Sequence, residues 1–443
     1  GIGADNGQWV LPLRRFLRIT SNPPKGRLKR LFRNGCLFMI SLSKILDRPI
    51  SRSGQKFDTS LLWMTVLMTV FSLVMIYSAS IAYAAAEGGT QFSFVGKQAL
   101  FVAVGVSVCI GLSFISMNTW KKLMPWYFGF SGLLLLLVLF LEREINGATR
   151  WIHAGPVNIQ PTELFKLAVV LYLSSLFTRK AEVLQSVKKI MFPGGLIAAG
   201  LVLIMFQPDF GSFVVIVGVT MAMVFLAGFP AKYFIMMGMI LASFMTAAIM
   251  LAPYRMARVS AFLNPWADPL GKGYQLTHSL MAIARGEWFG QGLGASLEKR
   301  FYLPEAHTDF IFAVIGEEFG FLGMCILVAC YVWLVVRAFS IGRQARDLDL
   351  TFGAYVANGI GVWIGIQSFF NIGVNIGLLP NKGLTLPLVS YGGSSLLGMM
   401  AAFTMLLRVD YETRRSMRGY DDVLDPRDRK QAQPEARAQG AKT

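Results

Sequence analysis

The sequence predicts an all-α polytopic membrane protein of about ten transmembrane helices, with a long external loop between spans seven and eight. Three observations predict it. Hydrophobic residues make up 54% of the 443-residue chain and charged residues only 15%, against about 25% charged in an average soluble protein. Apolar stretches near the length needed to cross the hydrocarbon core, about 20 residues, recur ten times. Lys and Arg gather in alternate gaps between those stretches, as the positive-inside rule requires.

The ten stretches are 58–86, 97–118, 123–141, 162–178, 190–207, 211–228, 233–252, 309–336, 352–378 and 386–407. The fourth carries Glu163 and Lys166, and the fifth contains Pro193, Gly194 and Gly195. Both are kept, because neighbouring helices satisfy such breaks inside a membrane. The short apolar run 36–45 reads as an interfacial helix. One side of the array, with both chain ends, holds 31 Lys and Arg, and the short loops opposite hold 4. Both termini are therefore expected in the cytoplasm. The organisation is a basic segment 1–57, a membrane domain 58–408 and a tail 409–443, expected to be disordered at its end.

The net charge of +17 is largely this topological signal, which leaves nucleic acid an unsuitable partner. Cys36, Cys109, Cys325 and Cys330 form no C-x-x-C, and His153, His278 and His307 are scattered. Neither a zinc site nor a disulfide framework is indicated. No phosphate-binding G-x-x-x-x-G-K-[ST] and no H-E-x-x-H is present, so ATP-driven pumping and zinc hydrolysis lack their hallmarks.

Several residues break the apolar pattern. The segment 253–308 carries Arg255, Arg258, Lys272, Arg285, Lys299 and Arg300. Long ordered loops are usually functional, and these cations suit an anionic lipid headgroup, a diphosphate above all. Within it, 275–284 reads as an amphipathic helix and 290–294 as a glycine turn. Glu163 and Lys166 are three apart and can pair. Asp209 suits a cap on span six or a cavity wall. Glu317 and Glu318 point about 100° apart. Gln367, Asn371 and Asn375 make a polar stripe on span nine. The 390–395 segment SYGGSS is expected inside span ten, for close packing. Asp309 opens span eight, where the helix dipole favours a carboxylate. It is either a cap or a reactive group placed where the cationic loop meets the membrane.

Four motifs carry a resemblance: YLPEAHTDFIFAVIGEE at 302–318, NPW with GYQL at 264–276, QPTE at 160–163 and KGLTLPLVSYGGSS at 382–395. Over roughly 58–415 the chain resembles the SEDS family (shape, elongation, division and sporulation), and Lys382 is similar to its division-type members. The resemblance implies a SEDS-type fold and a peptidoglycan glycosyltransferase that polymerises lipid II at the outer face of the inner membrane, enriched at the division septum. It implies a class B penicillin-binding protein, the septal transpeptidase, and other division proteins as partners. It makes Asp309 the catalytic residue. Trp151, Glu163, Lys166, Arg258, Lys272, Gln275, Ser279, Lys382 and Ser394 form the expected substrate-contacting set. A divalent cation, Mg2+ or Mn2+, is admitted, and no nucleotide cofactor is expected. Phe301 departs from the pattern, since some relatives carry Glu there. The alternatives are a lipid II flippase using Glu317, Glu318 and Gln367, and a non-catalytic scaffold.

Overall fold

The computed structural model describes residues 57–86, 90–141, 150–154, 157–179, 187–251, 253–381 and 383–418. The expected interfacial helix at 36–45, the end of the tail and Lys382 lie outside the described residues. Helices occupy all ten expected positions. They are α1 (Thr59–Ala86), α2 (Ser93–Ser113), α3 (Met117–Leu141), α4 (Pro161–Arg179), α5 (Val187–Phe206), α6 (Phe210–Leu226) and α7 (Ala231–Met250), followed after the long loop by α10 (Ile311–Asp347), α11 (Thr351–Asn375) and α12 (Gly393–Met417). The loop contributes α8 (Pro253–Leu263), a 3-10 turn at Pro265–Ala267 and α9 (Tyr274–Gly286). A hairpin of β1 (Ile152–Ala154) and β2 (Val157–Ile159) precedes α4, with His153 opposite Asn158.

By length and composition, five helices among the described residues can cross a membrane: Thr59–Ile81, Ser93–Ser113, Met117–Phe140, Lys189–Phe206 and Ile311–Asp347. Two shorter apolar helices are Phe210–Leu226 and Ala231–Phe244. The remaining three, α4, α11 and α12, carry the polar residues and pack together in the interior. α11 touches α4, α6, α10 and α12, and its Trp363 is fully buried. Polar side chains in a bundle are tolerated where protein, not lipid, surrounds them.

Two expected elements differ from the structure. The last helix begins at Gly393 and runs to Met417, not over 386–407. Pro387 lacks an N–H, Leu388 adopts φ +64°, and residues 386–392 form a turn segment. The SYGGSS motif therefore straddles a helix start instead of lying within a span. α10 is not one continuous helix. It breaks at Gly320, with φ +67° and ψ −167°, a conformation reserved for glycine. Loop residues enter the break: Gln291 and Gly292 N–H donate to the Glu317 and Glu318 carbonyls at 2.9 and 3.0 Å, while Phe321 and Leu322 N–H donate to the Glu287 and Trp288 carbonyls at 2.8 and 3.1 Å. Gly290, at φ +83°, allows that approach.

The expected amphipathic helix is present as α9 and the glycine turn as Gly290, Gly292 and Gly294, all with positive φ. Asp209 is the cap of α6, accepting from Ser212 N–H at 3.1 Å. At the end of α10 remote from Asp309, a buried cluster joins three helices. Arg337 pairs with Asp58, the Asp58 N–H donates to Asp410 at 2.7 Å, and Arg414 donates to Asp410 at 2.7 Å. Arg337 lies roughly 25 Å along the helix beyond the break at Gly320, at 1.5 Å per residue.

Candidate active site

Asp309 is half-buried, two residues before α10. It is not the cap: Phe310 holds that position and supplies no side-chain bond. Help comes from another helix. The Asn375 side-chain oxygen accepts from the Ala313 N–H at 3.0 Å, which it shares with the Phe310 carbonyl, also at 3.0 Å, in the first turn of the helix. The segment 383–385 passes in front of Asp309. A Cβ placed on Gly383 would stand 3.0 Å from Asp309 Oδ2, so a side chain there would press on the carboxylate.

The polar stripe on α11 carries this segment. Gln367 donates to the Thr385 carbonyl at 3.0 Å, and Asn371 donates to the Leu384 carbonyl at 2.6 Å. Thr385 and Ser395 hydroxyls lie 2.7 Å apart. Ser394 donates to the Asn158 carbonyl at 2.7 Å and accepts from the Gln160 N–H at 3.0 Å, which ties α12 to the β-hairpin. Beneath, Lys166 donates to Glu163 at 2.8 Å and to Gln367 at 3.2 Å. Glu163 and Lys166 are 4% and 2% exposed. They support the segment from within the bundle and do not present charge to its surface. Glu163 Oε2 has no hydrogen-bond partner among the described residues, a deficit that buried polar atoms rarely carry.

The loop cations divide. Lys299 is buried, paired with Glu318 at 2.6 Å and with Ser78 of α1 at 2.9 Å. Arg285 lies 3.6 Å from Glu317. Glu317 also accepts from Ser296 Oγ at 2.5 Å and Leu297 N–H at 2.9 Å. These two cations hold the loop, which corrects the expectation that all six face a headgroup. Lys272 and Arg300 are exposed. Arg258 stands on α8, and nothing is described of its side chain. Gln275 accepts from Asn381 at 2.5 Å, joining α9 to the segment that leads to residue 382. Ser279 is fully buried and donates to the Asn375 carbonyl at 2.8 Å, which places it behind the surface expected of a substrate contact. Trp151 is half-exposed beside β1, and Phe301 is exposed with φ +69°.

Among the described residues no three His, Cys, Asp or Glu side chains come together to hold a metal. The carboxylate of Asp309 alone does not make a protein-built divalent-cation site.

Comparison with known proteins gives the family. The FtsW/RodA/SpoVE model, described as a cell cycle protein, matches residues 59–415. The chain belongs to this family. It is 60% identical over 413 residues to the "probable peptidoglycan glycosyltransferase FtsW" of Neisseria gonorrhoeae, covering 85% of this chain and 89% of the relative. Its identity to the protein of the same description from Aromatoleum aromaticum is 44% over 388 residues, covering 85% and 94%. Among solved structures, a chain of a peptidoglycan synthase complex that coordinates polymerization and crosslinking aligns at TM-score 0.67 and 29% identity, covering 81% of this chain and 98% of that one. The rod shape determining protein RodA of Thermus thermophilus aligns at TM-score 0.60 and 26% identity, covering 82% and 98%.

Several members of the site were not singled out from the sequence for what they do. Asn371 and Asn375 were visible as a stripe, but not their grip on the Asp309 backbone. Thr385 carried no signal beyond its motif. The pairing of Ser78 with Glu318 joins positions 240 apart, which no local pattern reveals.

Proposed function

We propose that this chain is a peptidoglycan glycosyltransferase that polymerises lipid II, with Asp309 as general base. The observation that carries the reading is the partly buried Asp309, with its carboxylate against Gly383, in a chain whose relatives are named for that activity. Lipid II is an α-linked disaccharide on undecaprenyl diphosphate, and the polymer is β-1,4-linked, so the anomeric centre inverts. One displacement suffices. The acceptor 4-hydroxyl oxygen bonds to the donor C1 while the C1–O bond to diphosphate breaks. The hydroxyl proton passes to Asp309. Undecaprenyl diphosphate leaves as an anion and needs no protonation. Arg258, Lys272 and Lys382 are the cations proposed to stabilise it, and Trp151 offers an aromatic face for a sugar ring. Glu163 and Lys166 hold the wall of the site.

The ten helices would be the ten spans, with both chain ends in the cytoplasm and 253–308 outside. The proposed partner is a class B penicillin-binding protein, consistent with the complex to which one similar solved chain belongs. Septal localisation is part of the proposal, supported by the relatives named FtsW.

The flippase alternative relied on Glu317, Glu318 and Gln367 lining a path. All three are fully or almost fully buried and engaged with loop, α1 or α4 groups, which favours structural roles. The discriminating experiment supplies lipid II to the purified chain with its transpeptidase in detergent, where no bilayer is available to cross. Glycan strands are the expected product. Absence of strands from a folded complex, together with accelerated lipid II translocation in liposomes, contradicts the enzyme reading.

A further inference from the structure

Two amides on consecutive turns of α11 converge on one atom. Asn371 Nδ2 and Asn375 Nδ2 both donate to the Asp309 main-chain carbonyl, at 2.9 and 3.0 Å. The other bonds of each amide are equally defined. Asn371 Nδ2 also donates to the Leu384 carbonyl at 2.6 Å, and Asn375 Nδ2 to the Asn371 carbonyl at 2.8 Å. The Asn375 oxygen accepts from Ala313 N–H at 3.0 Å. Carbonyls only accept, so the amide orientations are fixed by their partners. Both side chains are buried, 2% and 0% exposed.

We infer that Asn371 and Asn375 are positioning residues for the transfer reaction: they fix the Asp309 backbone, and through Asn371 they fix its spacing from the Gly383–Thr385 segment. The inference rests on the reading of Asp309 as the base. The physical need is specific. Asp309 lies in a turn before α10, outside the helix ladder that would otherwise hold it. A turn residue can drift, and a reacting group displaced by about 1 Å can lose a hundredfold in rate. Asn371 is a crosslink between the two walls, since one NH2 group holds Asp309 on one side and Leu384 on the other. Asn375 holds the same carbonyl from the next turn and completes the first turn of α10. Burying two amides in a bundle is costly unless every donor is matched. Here all four side-chain N–H groups are.

The test measures kcat and KM for lipid II in the complex with the transpeptidase. The variants are Asn371→Ala, Asn375→Ala, the double variant, Ser368→Ala and Asp309→Asn, with thermal unfolding of each. Ser368 lies on the same buried helix but donates only to carbonyls of its own preceding turn, and Ser368→Ala is expected to leave kcat unchanged. Each single Asn variant is expected to lower kcat about tenfold, and the double variant about a hundredfold or more, with KM within about twofold. If the Ala variants do not fold, Asn375→Asp, equal in size and still able to accept from Ala313, carries the same expectation. Folded Asn variants with unchanged kcat, or with a raised KM alone, overturn the inference. An active Asp309→Asn complex instead overturns the base reading on which it rests, and the two failures are distinct.

Discussion

At the scale of single residues, the surroundings of a carboxylate decide its task. Asp309 is only partly buried and lies beside a glycine. Asp58 is buried against Arg337 and accepts from Ser60 and Leu61 N–H at 3.0 and 3.3 Å. Burial pushes the Asp58 carboxyl up, but the hydrogen bond from the Ser60 hydroxyl and the Arg337 guanidinium outweigh it and hold the group below the ordinary carboxylate range. A carboxyl lowered on folding stabilises the fold above its unfolded pKa of about 4, and that contribution is lost as pH falls through the folded value. Comparison with Asp58→Asn isolates the Asp58 contribution. The variant keeps the shape of the cap but leaves Arg337 short of its carboxylate. It is expected to be less stable at pH 7 by about 3 kcal/mol or more, with the gap closing in acid. Thermal unfolding of the two proteins between pH 7 and pH 3 measures it. A constant gap across that range contradicts the assignment.

At the scale of elements, the break in α10 is what seats the long loop. The helix opens for one residue, and the loop fills the vacated hydrogen bonds on both sides of Gly320. Glu317 and Glu318 then point to different partners, as their adjacency requires. One takes the 296–298 turn and the other takes Lys299 and Ser78. Gly320→Ala is expected to cost about 1–3 kcal/mol from backbone conformation alone. A Cβ there would also stand 2.4 Å from Gly290 N and 2.6 Å from Phe289 N, so the loop must move. Faster hydrogen exchange at 287–292 and a loss of polymerisation are the expected results. Unchanged exchange at those amides contradicts the seating role. The sequence made part of this legible. It marked α9, the glycine turn, the Glu163–Lys166 pair and the Asp209 cap, because each is local and follows helical or turn spacing. It did not reveal the break, since residues 311–319 and 321–347 share one apolar pattern and a lone glycine is common in membrane helices. Nor did it show that Lys299 is buried against Glu318, because charge alone does not report direction. The hairpin before α4 is too short to leave a period.

At the scale of the whole molecule, helix number and order were readable because hydrocarbon thickness dictates length. The start of the last helix was not, because its apolar run begins before the turn at Pro387 and Gly392, and the helix only after it. In the proposed orientation, drawn from the distribution of cations, Asp309 and the Asp58 cluster lie on opposite faces of the membrane. In a chain whose four native cysteines are replaced by Ser, Leu293→Cys is expected to react with an impermeant maleimide in spheroplasts. Asp347→Cys is expected to react only after lysis. Labelling of Asp347→Cys in intact spheroplasts contradicts the orientation. The central claim is that chemistry occurs at Asp309. It is tested most directly by polymerisation of purified lipid II with the transpeptidase complex, wild type against Asp309→Asn. Glycan strands from the wild type, and none from a variant that folds and binds its partner equally well, are the predicted result. Strands of similar amount from both proteins contradict it.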